Sequence, residues 1–485
     1  MTDSSHLHYH FTPPSNWLND PNGLVYHNGE YHLFYQYHPD SDLWGPMHWG
    51  HAVSRDLVNW THLPIALYPD DNGMIFSGSA VVDKHNTSGF GEGAMVAIFT
   101  HHKDDHQRQS LAYSTDNGRT WTKFPGNPVL FALNDFPDFR DPKVFWYGDE
   151  GAGHWVMCLA VRDRISFYTS PDLIHWEHGS DFGPGQGSIA GVWETPDVFK
   201  LILDNNETRW VLTVGVQAGA PAGGSGTQYF IGNFDGKTFT SENPAETVLW
   251  GDYGADYYAA QAWNDEPSGR RLMIAWMNNW KYALFIPSEG QRGVFSLVRE
   301  LSLVRTADGI RLVHKPVAEL QTLREKLEQW QEQVIQPNTN ILENVRGVSL
   351  EIIAEFRIND TTDSFGFHVR VGENEHTDIR YDAKKKFLSV DRSHSGQVEF
   401  NDDFGAVHTA DLFPIDDTIR LHIFVDSKSV EVFANDGIVT FTDSIFPYEQ
   451  SQGVELFAEG GEVLLHSLDV FHLKTATFQL EEDKP

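Results

Sequence analysis

A turn motif recurs along the first half of the chain at nearly constant spacing. Ser54-Arg55-Asp56-Leu57-Val58-Asn59-Trp60 is echoed by Ser114-Thr115-Asp116-Asn117-Gly118-Arg119-Thr120-Trp121 and by Ser170-Pro171-Asp172-Leu173-Ile174-His175-Trp176. A degenerate copy is Asn233-Phe234-Asp235-Gly236-Lys237-Thr238-Phe239. The starts lie 60, 56 and 63 residues apart. Each copy reads as a polar turn followed by an aromatic residue that opens a strand. Between the copies run short aromatic and β-branched segments, such as Tyr31-His32-Leu33-Phe34-Tyr35 and Trp210-Val211-Leu212-Thr213-Val214, bounded by Gly, Pro, Asn and Asp. A unit near 60 residues exceeds the roughly 40–50 of familiar propeller repeats and suits one four-stranded blade with long loops. Residues 1–312 divided at that period give five blades, within the usual range of 4–8.

The remainder of the 485-residue chain divides again. Over 313–337, apolar residues at Val317, Leu320, Leu323, Leu327, Trp330 and Val334 fall three and four apart, and Pro337 follows. That spacing predicts a short linker helix. Over 338–485 the pattern returns to period two: Leu350, Ile352, Ala354, Phe356 and Ile358, then Ile419, Leu421, Ile423 and Val425. Such alternation predicts an antiparallel β-sandwich. The expected fold class is therefore all-β, a five-bladed β-propeller followed by a C-terminal β-sandwich, joined by a short helix.

Charge narrows the partners. With 68 acidic against 35 basic residues the net charge is −33, which disfavours nucleic acid and anionic membranes but not a neutral substrate. Aromatics make up 13% of the chain; most serve the core, and flat rings also suit the apolar faces of sugars. The single cysteine, Cys158, sits in an apolar run and reads as a small buried hydrophobe. The N-terminal residues show no signal-peptide pattern, so the chain as written reads as cytoplasmic, or extracellular if a signal has been removed. His6-Leu7-His8-Tyr9-His10 lacks the Cys or carboxylate companions of a metal site, so no metal is expected there. His101-His102 reads as exposed loop.

Three acidic motifs stand out: Trp17-Leu18-Asn19-Asp20-Pro21-Asn22-Gly23, Phe139-Arg140-Asp141-Pro142 and Trp193-Glu194-Thr195-Pro196-Asp197. Each sets an acid within two residues of a proline that restricts the backbone beside it. Asp20, Asp141 and Glu194 precede the turn motifs at 54, 170 and 233 by 34, 29 and 39 residues, a similar phase in different blades. Phe76-Ser77 and Asp256-Tyr257-Tyr258 hold the same phase in the other two. Equivalent positions on successive blades converge on the central channel. Convergent carboxyls in unequal surroundings are what glycoside hydrolysis requires, one acting as an anion and one as a proton donor.

These motifs also resemble those of glycoside hydrolase family 32, the invertases, inulinases and levanases. The resemblance extends through Tyr9-His10-Phe11-Thr12-Pro13, Leu33-Phe34-Tyr35-Gln36-Tyr37, Trp44-Gly45-Pro46-Met47-His48-Trp49-Gly50-His51, Phe76-Ser77-Gly78-Ser79 and Ser429-Val430-Glu431-Val432-Phe433. It implies a retaining β-fructosidase in which Asp20 is the nucleophile, Glu194 the acid/base and Asp141 a transition-state stabiliser. It further implies a fructose pocket lined by Trp17, Asn19, Gln36, Trp44, Phe76, Ser77, Arg140, Thr195 and Trp280. The implied substrates are fructans such as levan or inulin, and sucrose. A fructosyltransferase, a strict invertase, an arabinan-cleaving relative and a catalytically silent sugar-binding protein remain alternatives. The chemistry needs no cofactor and no metal. The sandwich braces the propeller and is a candidate surface for homodimer formation. The family commonly carries Cys where this chain has Thr195, so Thr195 is expected to shift the acid limb of the pH profile through Glu194.

Overall fold

A computed structural model describes residues 7–132, 138–149 and 151–481. Five antiparallel sheets follow one another, each built from four consecutive main strands. Blade 1 comprises Asn16–His27, Glu30–His38, His48–Ser54 and Trp60–Leu67. Blades 2, 3, 4 and 5 begin with Met74–Asp83, Arg140–Asp149, Trp193–Ile202 and Tyr258–Ala262. These first strands are the inner ones. Each packs against the first strands of the blades before and after it, and the fifth packs against the first, so they form a closed ring around a channel. The last strand segment, Phe478–Leu480, returns to pair in parallel with Trp60–His62 of blade 1.

The recurring turn joins the third and fourth strands of a blade, and its chemistry is local. Oδ1 of Asp56, Asp116, Asp172 and Asp235 accepts the backbone N–H of Asn59, Thr120, His175 and Thr238 at 2.7–2.9 Å. In the first three copies the serine also bonds to the aspartate carboxylate. An Asx-type turn of this kind saves the backbone amides that a tight turn leaves unpaired. Leu57, Asn117 and Leu173 sit at φ 64°, 57° and 66° in the three better copies. Cys158 is buried on the second strand of blade 3, as the apolar run predicts. His101 and His102 do not lie in an exposed loop. They belong to the strand Ala94–Lys103, with His101 buried.

The second domain is a sandwich. A six-stranded sheet in the order Arg324–Ile335, Val463–Leu473, Leu350–Arg357, Thr418–Val425, Ser429–Ala434 and Val439–Ser444 faces a five-stranded one. Ile352, Phe356, Ile419, Leu421 and Ile423 lie wholly inside, which is the period-two face of the sequence.

The linker is not the expected helix. Ala318–Leu323 forms one short 3-10 segment, and Arg324–Ile335 is a strand paired along its length with Val463–Leu473. Leu320 and Leu323 are buried, but Leu327 and Val334 are 42% and 52% exposed, so the three-and-four spacing marks no buried stripe. Helix propensity is a weak preference, and a long edge-strand ladder overrides it. Buried ion pairs hold the two domains together: Arg299, paired within the propeller with Asp252 at 2.9 Å, reaches Glu431 at 2.7 Å, and Arg392 reaches Asp256 at 2.6 Å. His10 bridges Asp426 at 2.8 Å and Glu431 at 3.1 Å, which accounts for this histidine without a metal. His6 lies outside the described residues. Among the described residues no group of His, Cys, Asp and Glu has the arrangement of a metal site, and no helix is long and apolar enough to cross a membrane.

Candidate active site

All five inner strands carry the same irregularity. Their pairing with the second strand of the blade shifts register between Leu18 and Pro21, Ile75 and Gly78, Arg140 and Lys143, Glu194 and Asp197, and Tyr258 and Gln261. The two residues inside each break are Asn19-Asp20, Phe76-Ser77, Asp141-Pro142, Thr195-Pro196 and Ala259-Ala260. A bulge re-aims side chains and leaves a residue free of the ladder, so it tolerates proline. That is why Pro142 and Pro196 are tolerated inside their breaks, while Pro21 follows directly after the break of blade 1, opposite Tyr35. Asp141, Thr195 and Ala259 adopt φ 62°, 47° and 54° to make the break.

The bulges bring the acids together at one mouth of the channel. Ser77 Oγ donates to Asp20 Oδ2 at 2.6 Å, and Asn19 Nδ2 donates to Asp20 Oδ1 at 3.0 Å. Thr195 N–H donates to Asp141 Oδ2 at 2.9 Å. Arg140 reaches Glu194 Oε1 with Nη2 at 2.7 Å and Nε at 3.1 Å, and Gln217 Nε2 donates to the same oxygen at 2.9 Å. Tyr258 O–H donates to Glu194 Oε2. Blades 1 with 2, 3 with 4, and 4 with 5 are thus tied at the site by its own functional groups.

The carboxyls differ electrostatically. Burial lifts Asp20 to about 6, and the Glu194 charge adds to the rise, while the bonds from Ser77 and Asn19 oppose it. Asp141 is also raised, chiefly by burial, against the pull of Arg140 and with the charges of Glu194 and Asp20 behind it. Burial disfavours the Arg140 cation, but Glu194 and Asp141 more than compensate and keep it charged. Asp20 is thus held by neutral donors alone, whereas Glu194 is gripped by a cation. Two acids in such unequal settings fit attack and proton transfer across one bond.

The other residues expected in the pocket make contacts of different kinds. Trp44 is 40% exposed and stands edge-on to Phe76, their ring centres 6.1 Å apart. Phe76 stacks on His102 at 4.6 Å. Gln36 is buried and donates to Ile75 O at 3.0 Å. Trp17 is wholly buried, so it offers no face to a ligand; its Nε1 donates to Asn19 Oδ1 at 2.8 Å and so orients the residue that holds Asp20. Trp280 is half-buried, stacked on Trp17 at 6.1 Å with Trp276 at 4.8 Å. The Thr195 hydroxyl is buried and bonds to nothing, Glu194 included. Its residue acts on Asp141, through the backbone.

Tyr258 and Gln217 are partners of Glu194 that the motifs did not single out. Tyr258 had a signal: it lies in Asp256-Tyr257-Tyr258 at the inner-strand phase, in the bulge position that Glu194 holds in blade 4. Asp256, the acid of that triplet, points away to Arg392 and Tyr282 at the domain interface. Gln217 lies at the end of a second strand and carries no motif. Asn22 is a third addition: its Nδ2 donates to Asp20 O at 3.1 Å and its Oδ1 accepts the Gly78 N–H at 3.1 Å. Below the site the channel is closed by a buried ion pair, Lys143 with Asp197 at 2.8 Å.

Comparison with known proteins matches this arrangement. Residues 10–316 match the N-terminal domain of glycosyl hydrolases family 32, and residues 319–472 match the family's C-terminal domain. A levanase of Bacillus subtilis (strain 168) is 53% identical over 476 residues, which cover 96% of this chain and 70% of that protein. The crystal structure of the exo-inulinase from Aspergillus awamori superposes with a TM-score of 0.91 at 35% identity, over 97% of this chain and 98% of that one. The β-fructofuranosidase of Schwanniomyces occidentalis complexed with fructosyl-erythritol gives a TM-score of 0.88 at 30% identity, again over 97% and 98%. With both of its domains matched and the acidic motifs converging at one mouth of the propeller, this chain belongs to glycosyl hydrolase family 32.

Proposed function

We propose that the protein is a retaining β-fructosidase that releases terminal β-D-fructofuranosyl units from fructans, levan or inulin, and from sucrose. The observation that carries the reading is the seating of Asp20, with one carboxylate oxygen on Ser77 Oγ at 2.6 Å and the other on Asn19 Nδ2 at 3.0 Å. A nucleophilic carboxylate needs this fixed direction more than it needs a cation. Asp20 attacks the anomeric C2 of fructose while Glu194 gives its proton to the departing glycosidic oxygen, leaving a fructosyl ester on Asp20. Glu194, now a carboxylate, takes a proton from water as the water oxygen attacks C2, and Asp20 leaves as the free anion. Asp141 accepts hydrogen bonds from fructose hydroxyls and stabilises the positive charge that develops on the sugar ring. Arg140 sets the position of Glu194 throughout. The names of the relatives, levanase, exo-inulinase and β-fructofuranosidase, support the choice of fructose.

The test is a product profile on sucrose, inulin and levan side by side. Free fructose from the wild type, abolished in Asp20→Ala, is expected. Oligosaccharides growing at the expense of free fructose would replace hydrolysis with transfer, and no release from any of the three would overturn the reading.

A further inference from the structure

A second pocket, of about 280 Å³, opens at the other mouth of the channel. Its wall is formed by the far ends of the inner strands of blades 2, 3 and 4, by the residues after the inner strand of blade 5, and by Trp155, Trp210 and Arg271 on the second strands of blades 3, 4 and 5. Glu194 and Lys200 share one strand, six residues apart. At ~3.3 Å per residue the two mouths are about 20 Å apart. The channel between them is plugged. Besides the Lys143–Asp197 pair, Asn264 Nδ2 donates to Ala80 O at 2.8 Å and to Val144 O at 3.0 Å. A molecule in this pocket does not reach the carboxylates, so the pocket is a separate place.

Its lining combines flat rings with donors and an acceptor. Trp146 and Trp210 come from adjacent blades and are both half-buried. Trp155 braces Trp146 edge-on at 5.0 Å, and Phe145 lies against Trp210 at 5.9 Å. Lys84 pairs with Asp265 at 2.7 Å. Lys200 is exposed and has no partner among the described residues. Arg271 donates from Nη1 to Trp263 O at 3.1 Å and rests 5.3 Å from the centre of the Phe199 ring, yet its buried Nε bonds to nothing. That nitrogen is closed to the pocket, but Nη2 of the half-buried Arg271 has no partner among the described residues and is left as the donor. Three cations argue against a hydrocarbon occupant. Asp265 in the wall and a net charge of −33 argue against a polyanion. A hydroxylated ring satisfies every group: its C–H face covers the indoles, its oxygens accept from Lys200 and Arg271, and its hydroxyls donate to Asp265.

We propose that this pocket is a second, non-catalytic carbohydrate site that holds a neutral sugar unit, the fructosyl unit of a fructan chain, on the back of the propeller. The fructosyl identity rests on the fructan-cleaving reading; the selection of a neutral sugar rests on the pocket alone. A polymer branch held there raises the local concentration of other chain ends at the catalytic mouth. Sucrose, too short to span both places, gains nothing.

The experiment is calorimetric titration of the full-length Asp20→Asn enzyme with levan oligosaccharides, beside kinetics of the otherwise wild-type enzyme on sucrose and on levan. Two classes of site are expected. Trp210→Ala should weaken one class by about tenfold, leave kcat/KM on sucrose unchanged and raise KM on levan. Because Trp210 also packs against Phe145 and Phe234, Lys200→Ala at the exposed rim serves as the second variant, with the same expected direction. One class of site, or two classes that neither substitution touches, overturns the proposal. Failure of the fructan reading looks different: the wild type then releases no fructose from sucrose, inulin or levan.

Discussion

Removing the hydroxyl of Ser77 is the sharpest probe of the nucleophile. Ser77 Oγ sits 2.6 Å from Asp20 Oδ2 and is that oxygen's donor; Asn19 serves the other oxygen. A hydrogen bond to a charged group is worth about 1.5–3 kcal/mol net, and one pKa unit corresponds to about 1.4 kcal/mol. Ser77→Ala therefore raises Asp20 from about 6 by about one to two units, the lower end if water enters the space vacated. The sign follows from the role: the bond favours the carboxylate, the carboxylate is the nucleophile, and so activity needs a higher pH once the bond is lost. The assay is kcat/KM on sucrose against pH, which reports the free enzyme. The acid limb should move toward about pH 7 or above, while unchanged thermal unfolding shows that the strand survives. An acid limb that stays in place would refute the assignment of that limb to Asp20.

Four further outcomes follow from contacts in the fold. Arg140→Lys loses the two-pronged grip on Glu194 Oε1; kcat/KM on sucrose should fall on the order of a hundredfold through misplacement of the acid, with melting temperature as the control. Asp197→Ala strands the buried Lys143 ammonium and should cost about 3–5 kcal/mol in denaturant unfolding, with Asp197→Asn costing less. Burial lowers the proton affinity of His10, but bonds to Asp426 and Glu431 overcome this and lift it to about 9. A base raised above its unfolded value near 6.5 stabilises fully below that pH and loses the effect as pH rises through about 9, so wild type should lose about 3 kcal/mol more than His10→Phe between about pH 6 and about pH 10. Thr195→Cys should leave the whole pH profile of kcat/KM where it is, contrary to the expectation from sequence, because the Thr195 hydroxyl has no partner and Glu194 is bonded to Arg140, Gln217 and Tyr258.

What could be read from the sequence was what short-range chemistry writes. The blade turns are legible because Asp56 and its counterparts bond to amides two to four residues away, so the motif carries its own structure. The acids were legible by phase and by their prolines. The linker strand was not, because its partner, Val463–Leu473, is more than a hundred residues away and its two exposed apolar residues, Leu327 and Val334, happen to fall at helical spacing with Trp330. Tyr258 was half legible: the phase pointed to its triplet, but nothing local distinguishes a tyrosine that bonds to Glu194 from an aspartate beside it that turns to Arg392.

The repeated bulge resolves how a symmetric ring makes an asymmetric site. The same break in pairing occurs five times, but the side chain aimed at the channel comes from one of three places in it. Asp20 is the second residue of its bulge, Asp141 the first of its own, and Glu194 and Tyr258 the residue just before. Acids that match in phase along the chain thus stand at staggered depths, as attack, charge stabilisation and proton transfer on one sugar demand. The stagger has a conformational cost. A β-branched residue at φ 47° and an aspartate at φ 62° cost about 1–3 kcal/mol each unless their surroundings impose the geometry. Here they restrain each other. The Thr195 N–H bonds to the Asp141 carboxylate, and Gln261 Nε2 fixes the carbonyls of Thr195 and Pro196 at 3.0 and 3.2 Å. Gln261 belongs to blade 5, Thr195 to blade 4 and Asp141 to blade 3, so the strained pair persists only while those three blades are closed against one another. Closure of the propeller is in this sense part of the catalytic apparatus, and the Lys143–Asp197 pair beneath the site joins two of those blades.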